Sequence, residues 1–125
     1  MTADDRSRLD DLADRLFRAF EDNDADTIAQ CCAEDASFSQ NGGPATSIGT
    51  LLPSFASLKE RIGQHRYTEV RRGLFDDGFV EEHTVETTLP DGTDVRLRAC
   101  VVARVDGEGK LIELNEYLDP AATNG

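Results

Sequence analysis

The second half of the chain alternates. Leu97, Ala99, Val101, Ala103 and Val105 fall at every other position, separated by Arg96, Arg98, Cys100, Val102 and Arg104. That period predicts a strand with one apolar face and one face of long cations around a Cys-Val centre. Asp77-Gly78, Asp91-Gly92 and Asp106-Gly107 punctuate this half of the chain, and Asp-Gly between alternating runs signals a tight hairpin turn. Strands are expected over 66–75, 79–89, 94–105 and 111–119, joined as an antiparallel meander. Strands of this length twist and curl, so the residues pointing into the concave face are the ones to search for chemistry.

The first half has the helical period. Leu9, Leu12, Ala13, Leu16, Phe17 and Phe20 follow the i, i+3, i+4, i+7 spacing of an amphipathic helix, with Thr2 as a cap and Asp4 and Asp5 in the first turn. Asn23 or Asp24 is placed to cap a short second helix running to about Cys32, with Ile28 and Cys32 on one face. Positions 36–40 read as a first strand and Asn41-Gly42-Gly43-Pro44 as a loop. A third helix is expected over 51–62, with Pro53 in its first turn, Phe55, Leu58 and Ile62 inside and Gly63 at its end.

This order is an α+β layout: a cone-shaped domain of three N-terminal helices packed on a strongly curved, mainly antiparallel sheet. Leu12, Leu16, Phe17, Phe20, Phe38, Phe55, Leu58, Leu97, Val101, Val105 and Leu114 are the expected core. A single domain is expected over 1–120, with 121–125 a frayed tail.

Composition narrows the function. A chain of 125 residues can bury a core without disulfides or metal. Its net charge of −12 argues against nucleic acid and anionic membranes as partners. The N-terminus has no apolar run suited to a signal peptide or a membrane span. Cys31, Cys32 and Cys100 are odd in number, and two are adjacent, so neither a disulfide framework nor a zinc site is signalled. The expected compartment is the reducing cytoplasm. No phosphate loop, dinucleotide fingerprint or nucleophile elbow occurs, and no cofactor or metal is expected.

Several segments carry a resemblance: Phe79-Val80-Glu81-Glu82-His83-Thr84-Val85, then Val101-Val102-Ala103-Arg104-Val105-Asp106-Gly107, then Lys110-Leu111-Ile112-Glu113-Leu114-Asn115-Glu116-Tyr117-Leu118-Asp119. Together with the element order, they make nearly the whole chain resemble the nuclear transport factor 2-like superfamily. Within it, the chain looks like the SnoaL-like polyketide cyclase and limonene-epoxide-hydrolase branch. The superfamily includes isomerases, cyclases, dehydratases, epoxide hydrolases and domains without known activity, so fold alone does not choose a reaction.

Glu116 is the first candidate. It shares a strand face with Ile112, Leu114 and Leu118 and should be drawn inward with them. The resemblance implies that an inward carboxylate here is a general base; otherwise it sits at a solvated rim. His83 shares an inner face with Phe79, Glu81 and Val85. Matched by motif, it stands where the hydrolase branch has an arginine linking two acids, and Val85 stands where that branch has its second acid. Valine cannot donate a proton, so His83 would replace that acid, orient Glu116, or be a core histidine satisfied by a neighbour. Ser39 and Asn41 match the segment where the branch holds a water with a tyrosine and an asparagine; Asn41 is otherwise an ordinary loop residue. Tyr67 is a candidate cavity residue, and His65 is expected at the surface or the rim. The expected site is thus Glu116 and His83 as catalytic residues, with Asn41, Ser39, Tyr67, Val85, Ala99, Val101, Leu114 and Leu118 against the substrate.

The expected function is cofactor-independent proton transfer on a small, largely apolar or cyclic molecule. The alternatives are a non-catalytic binding domain and a dimeric assembly domain. A homodimer is expected through the outer sheet face, using Cys100, Val102 and Tyr117 flanked by Arg96, Arg98 and Arg104.

Overall fold

A computed structural model describes residues 1–61 and 65–119. Helix α1 (Ala3–Asp22) starts at a capping box: the Thr2 hydroxyl accepts the Asp5 amide at 3.1 Å, and the Asp5 carboxylate accepts the Thr2 amide at 3.0 Å. It ends at Asn23, whose left-handed φ of 52° terminates the ladder. Asp24 caps α2 (Ala25–Cys31) by accepting the Thr27 amide. The helix stops one residue before the expected Cys32, which is extended and opens β1 (Cys32–Gln40); Ile28 and Cys31 are its buried pair. The first strand is therefore longer than its apolar stretch suggested. After the Asn-Gly-Gly-Pro loop comes β2 (Thr46–Ser47), too short to leave a pattern. The Ser47 hydroxyl then accepts the Thr50 amide at the start of α3 (Ile48–Arg61). Starting three residues early puts Pro53 beyond the first turn, on an exposed face. The expected positions Ile62, Gly63 and the tail lie outside the described residues, as does the Leu58 side chain.

The meander is β3 (Arg66–Phe75), β4 (Gly78–Thr88), β5 (Asp94–Val105) and β6 (Leu111–Leu118). The sheet is open and six-stranded, in the order β2-β1-β6-β5-β4-β3. Pairing is antiparallel throughout except where β1 lies parallel to β6. The three Asp-Gly pairs act differently. Gly92 takes a positive φ of 89° in its turn, whereas in the third loop the left-handed residue is Gly109, two positions after the expected one. In the first, Asp76 and Asp77 make the turn and Gly78 opens β4. A Cβ on Gly78 would lie 1.9 Å from the Ala103 carbonyl oxygen, so glycine is required there by close approach.

The alternation on β5 places Ala99, Val101 and Ala103 in the core, with Leu97 and Val105 half-buried. On β6 the register slips between the Arg104–Glu113 and Val105–Leu111 pairs, a β-bulge that puts Leu111, rather than the expected Ile112, in the core. Helix α1 lays Ala13, Leu16, Phe17 and Phe20 over this face, against Phe79, Val101, Ala103 and Leu114. Leu12 and Phe55 pack at the margin of the same cluster. On the outer face the three expected interface arginines have partners within the chain. Arg96 pairs with Glu69 and Glu86, and Arg104 with Asp77 and Glu113. Arg98 donates to the Glu69 carbonyl and the Thr84 hydroxyl.

Candidate active site

Helices and sheet enclose a cavity of about 710 Å³, within the range of small-molecule sites. Its walls are aromatic, from Phe17, Phe20, Phe38 and Phe55, and its floor includes Leu97, Val101 and Leu114. The polar groups that reach it include Gln40, Tyr67, Thr87 and Glu116 from the strands and His65 from the residue before β3.

Glu116 is half-buried in this wall. The parallel register sets it beside Gln40, whose Nε2 donates to Glu116 Oε1 at 2.9 Å. Among the described residues no side chain donates to Oε2, so one carboxylate oxygen is fixed and the other is free to face a ligand. Asn41 is exposed and does not line the cavity. Its amide donates to the Glu116 carbonyl at 2.8 Å, and its side-chain oxygen accepts the Leu118 amide at 2.9 Å. It holds a left-handed φ of 52° and extends the β1–β6 ladder with one rung at Glu116 and one at Leu118. Asn41 therefore positions the strand that carries the carboxylate. Ser39 borders the cavity, but its hydroxyl donates to the Asn115 carboxamide.

His83 is not brought to Glu116. Its Nδ1 bonds Glu81 Oε2 at 2.7 Å, and both side chains are only 1 % exposed. Glu81 Oε1 accepts Arg72 Nε and Nη2, both at 2.8 Å, and Arg72 continues to Asp10 and Asp14 on α1. The pairing is local because residues i and i+2 of β4 share a face and the β3–β4 register sets Arg72 opposite Glu81. His83 Nε2 is buried, with no hydrogen-bond partner among the described residues. The imidazole is covered by Tyr67, whose ring centroid lies 4.3 Å away at 32°. Val85, Val101, Leu114 and Leu118 line the cavity; Ala99 is buried and does not.

Tyr67 and His65 line the same cavity. His65 Nε2 lies 3.2 Å from the Tyr67 hydroxyl. Burial pushes the Tyr67 phenol well above its ordinary range, reinforced by the negative charge of Glu116 and Glu21. Burial likewise lowers the affinity of His65 for a second proton, only partly opposed by the same two carboxylates. Both groups are thus neutral at pH 7. Gln40 and Arg72 are the residues that no sequence pattern singles out; Glu81 enters there only as a neighbour of His83, and His65, expected at the surface or the rim, lines the cavity. Alternation does put Glu81 beside His83, and counting back through the Asp76-Asp77 turn would have put Arg72 opposite. Among the described residues no group of three or more His, Cys, Asp or Glu side chains converges to hold a metal ion.

An open mixed sheet covered by three helices, with an aromatic cavity beneath them, defines the α+β cone of the nuclear transport factor 2-like superfamily. Within it, the chain belongs to the SnoaL-like domain family, whose profile matches residues 13–114. A "putative polyketide cyclase" from Xanthomonas campestris pv. campestris superposes with a TM-score of 0.80 at 18 % identity, over 92 % of this chain and 93 % of that one. An LEH-like epoxide hydrolase from M. tuberculosis gives 0.78 at 16 %, over 93 % and 86 %. The epoxide hydrolase/cyclase-like enzyme SalBIII, of pyran ring formation in salinomycin, gives 0.79 at 17 %, over 96 % and 97 %. At these identities the likeness establishes the fold. No curated protein gives a significant sequence match.

Proposed function

We propose that the protein is a cofactor-independent proton-transfer enzyme acting on a small, largely apolar molecule, with Glu116 as general base. The observation that carries this is a carboxylate fixed through one oxygen by Gln40 in the wall of a largely apolar cavity. Such a group, half-buried among apolar side chains, is placed to accept a proton from a bound molecule. The solved structures described as cyclases and epoxide hydrolases support chemistry of that kind. Behind the cavity, His83 acts through Tyr67, as the shelf on which the phenol ring rests.

The test is conversion of a panel of cyclic ketones, epoxides and metabolite extracts, read by mass spectrometry. Wild type is expected to turn over a member of the panel. Glu116→Gln should lose about 10²–10⁴-fold in rate while still retaining the molecule, because it removes basicity but little volume. Full activity in Glu116→Gln sinks the assignment, and a retained but unchanged molecule in wild type favours the binding-domain reading.

We further propose a homodimer through the outer sheet face, where Tyr117 is 46 % exposed beside half-buried Cys100 and Val102. A monomeric mass by light scattering at micromolar concentration overturns this. The free thiols of Cys31, Cys32 and Cys100 support the cytoplasm as the compartment.

A further inference from the structure

We propose that Arg98, helped by Arg96, is a positioning residue that acts through the sheet: from the outer face it locks a bulge in β3 that turns Tyr67 into the cavity wall.

The bulge shows itself as a change of phase. On β4 the inward residues Phe79, Glu81, His83, Val85 and Thr87 keep one unbroken alternation. On β3 the inward residues are Tyr67, Arg72 and Leu74, and their register partners are Val85, Glu81 and Phe79. A regular strand cannot provide this set, because residues two apart share a face and Tyr67 and Arg72 are five apart. The phase changes between Thr68 and Arg71, where Glu69 and Val70 together stand opposite His83. Both are exposed, so neither covers the imidazole, and the Tyr67 ring lies over it instead at 4.3 Å. Without the extra residue, either Tyr67 would turn out of the cavity or Arg72 would turn away from Glu81.

The bulge places Glu69 in a left-handed backbone, φ 52°, which side chains disfavour. The other residues besides glycine with positive φ are Asn23 and Asn41, of a type that tolerates it. Glutamate has no such tolerance, and its support comes from two strands away. Arg98 Nη1 donates to the Glu69 carbonyl at 3.0 Å and to the Thr84 hydroxyl at 3.2 Å. Glu69 Oε1 accepts Arg96 Nη2 at 2.8 Å and the Thr84 hydroxyl at 3.1 Å. Both arginines stand on β5 and reach across β4, over their register partners Thr84 and Glu86. Neither lines the cavity. A clamp on the outer face thus holds the one backbone conformation that sends Tyr67 to the inner face.

The experiment uses the full chain with 3-fluorotyrosine at Tyr67 and Tyr117, followed by ¹⁹F NMR; Tyr117→Phe tells the two signals apart. Stacked on His83 and edge-on to Phe17, Tyr67 should resonate away from free 3-fluorotyrosine. Arg98→Ala should move that signal toward the free position by more than its linewidth. Glu69→Gly alone should leave it in place, since glycine takes the left-handed backbone without help. The double variant Arg98→Ala/Glu69→Gly should return the signal to its wild-type position, a rescue that loss of an ordinary surface contact would not show. Should Arg98→Ala fail to fold, the double variant should still fold with Tyr67 in place. A Tyr67 signal indifferent to Arg98→Ala, or a double variant that stays displaced or unfolded, overturns the proposal.

Discussion

Replacing Arg72 by methionine tests whether the buried acid of β4 depends on its cation. The Glu81 carboxylate is 1 % exposed, and both of its oxygens are engaged, Oε1 by Arg72 and Oε2 by His83. Arg72→Met keeps most of the aliphatic volume but strands that carboxylate away from water. At an effective dielectric of about 20 a charge pair about 4 Å apart is worth roughly 4 kcal/mol, and breaking one side of a buried pair costs about 3–5 kcal/mol. Asp10 and Asp14, about half exposed, turn to solvent and add little. Against a total of about 5–15 kcal/mol for a domain, the variant should lose a large part of its stability. Its melting temperature should fall by roughly 10–20 °C. The double variant Arg72→Met/Glu81→Gln removes the stranded charge while leaving an acceptor for His83 Nδ1, and should regain about half of the loss or more. Urea unfolding followed by circular dichroism measures all three chains. An Arg72→Met protein within about 1 kcal/mol of wild type, or a double variant no more stable than the single one, refutes the reasoning.

Gly78→Ala should destabilise by more than about 2 kcal/mol, because its Cβ meets the Ala103 carbonyl; Gly107→Ala, with open space around it, should be nearly neutral in the same unfolding assay. Burial pushes Cys32 up to about 12 and raises Cys31 as well, so at about pH 8 an alkylating reagent should spare both thiols in native protein and modify them only once the chain is unfolded, as peptide mass mapping would show. His65 binds its proton more weakly folded than at its ordinary value of 6.5. Just below that value the unfolded chain therefore holds more protons, and the His65 contribution to stability should rise with pH. The wild-type minus His65→Phe difference in urea midpoint should show that slope, and a flat difference sinks it. At the alkaline end the sign reverses. Above 9.0 for Cys32 and 10.0 for Tyr67 the unfolded chain releases protons that the fold retains, so stability should fall as pH rises.

The parts of this molecule written in the sequence are those fixed by a period. The strict alternation of β5 gave the register of the inner face, and Leu114, Glu116 and Leu118 followed from the same rule on β6. That rule failed at Ile112 because a bulge changes the phase without leaving a residue type that announces it. His65 belongs to the cavity because the chain runs toward the sheet one residue before pairing begins, which no periodic run can show. The sequence points His83 toward Glu116 because long side chains on two strands flanking β5 can span the gap between them. The shorter solution lay two residues away, in Glu81, with Arg72 on the neighbouring strand. A buried ionisable group takes the nearest partner that desolvation allows, and nearness across a hairpin is set by the turn.

The parallel pairing of β1 with β6 has a kinetic consequence. Gln40 and Glu116 meet as register partners although 76 positions separate them in the chain. The hairpins β3–β4, β4–β5 and β5–β6 close over short spans, whereas the β1–β6 seam closes one long loop, and long-range pairing is the slow kind. The carboxylate and its positioning amide should therefore assemble in the last committed step of folding. A chain emerging from the ribosome would carry its meander before it carried a functional pocket. Capacity to bind a small molecule would then report the finished domain, and changes at Asn41, which rivets that seam, would act on the rate at which the pocket appears.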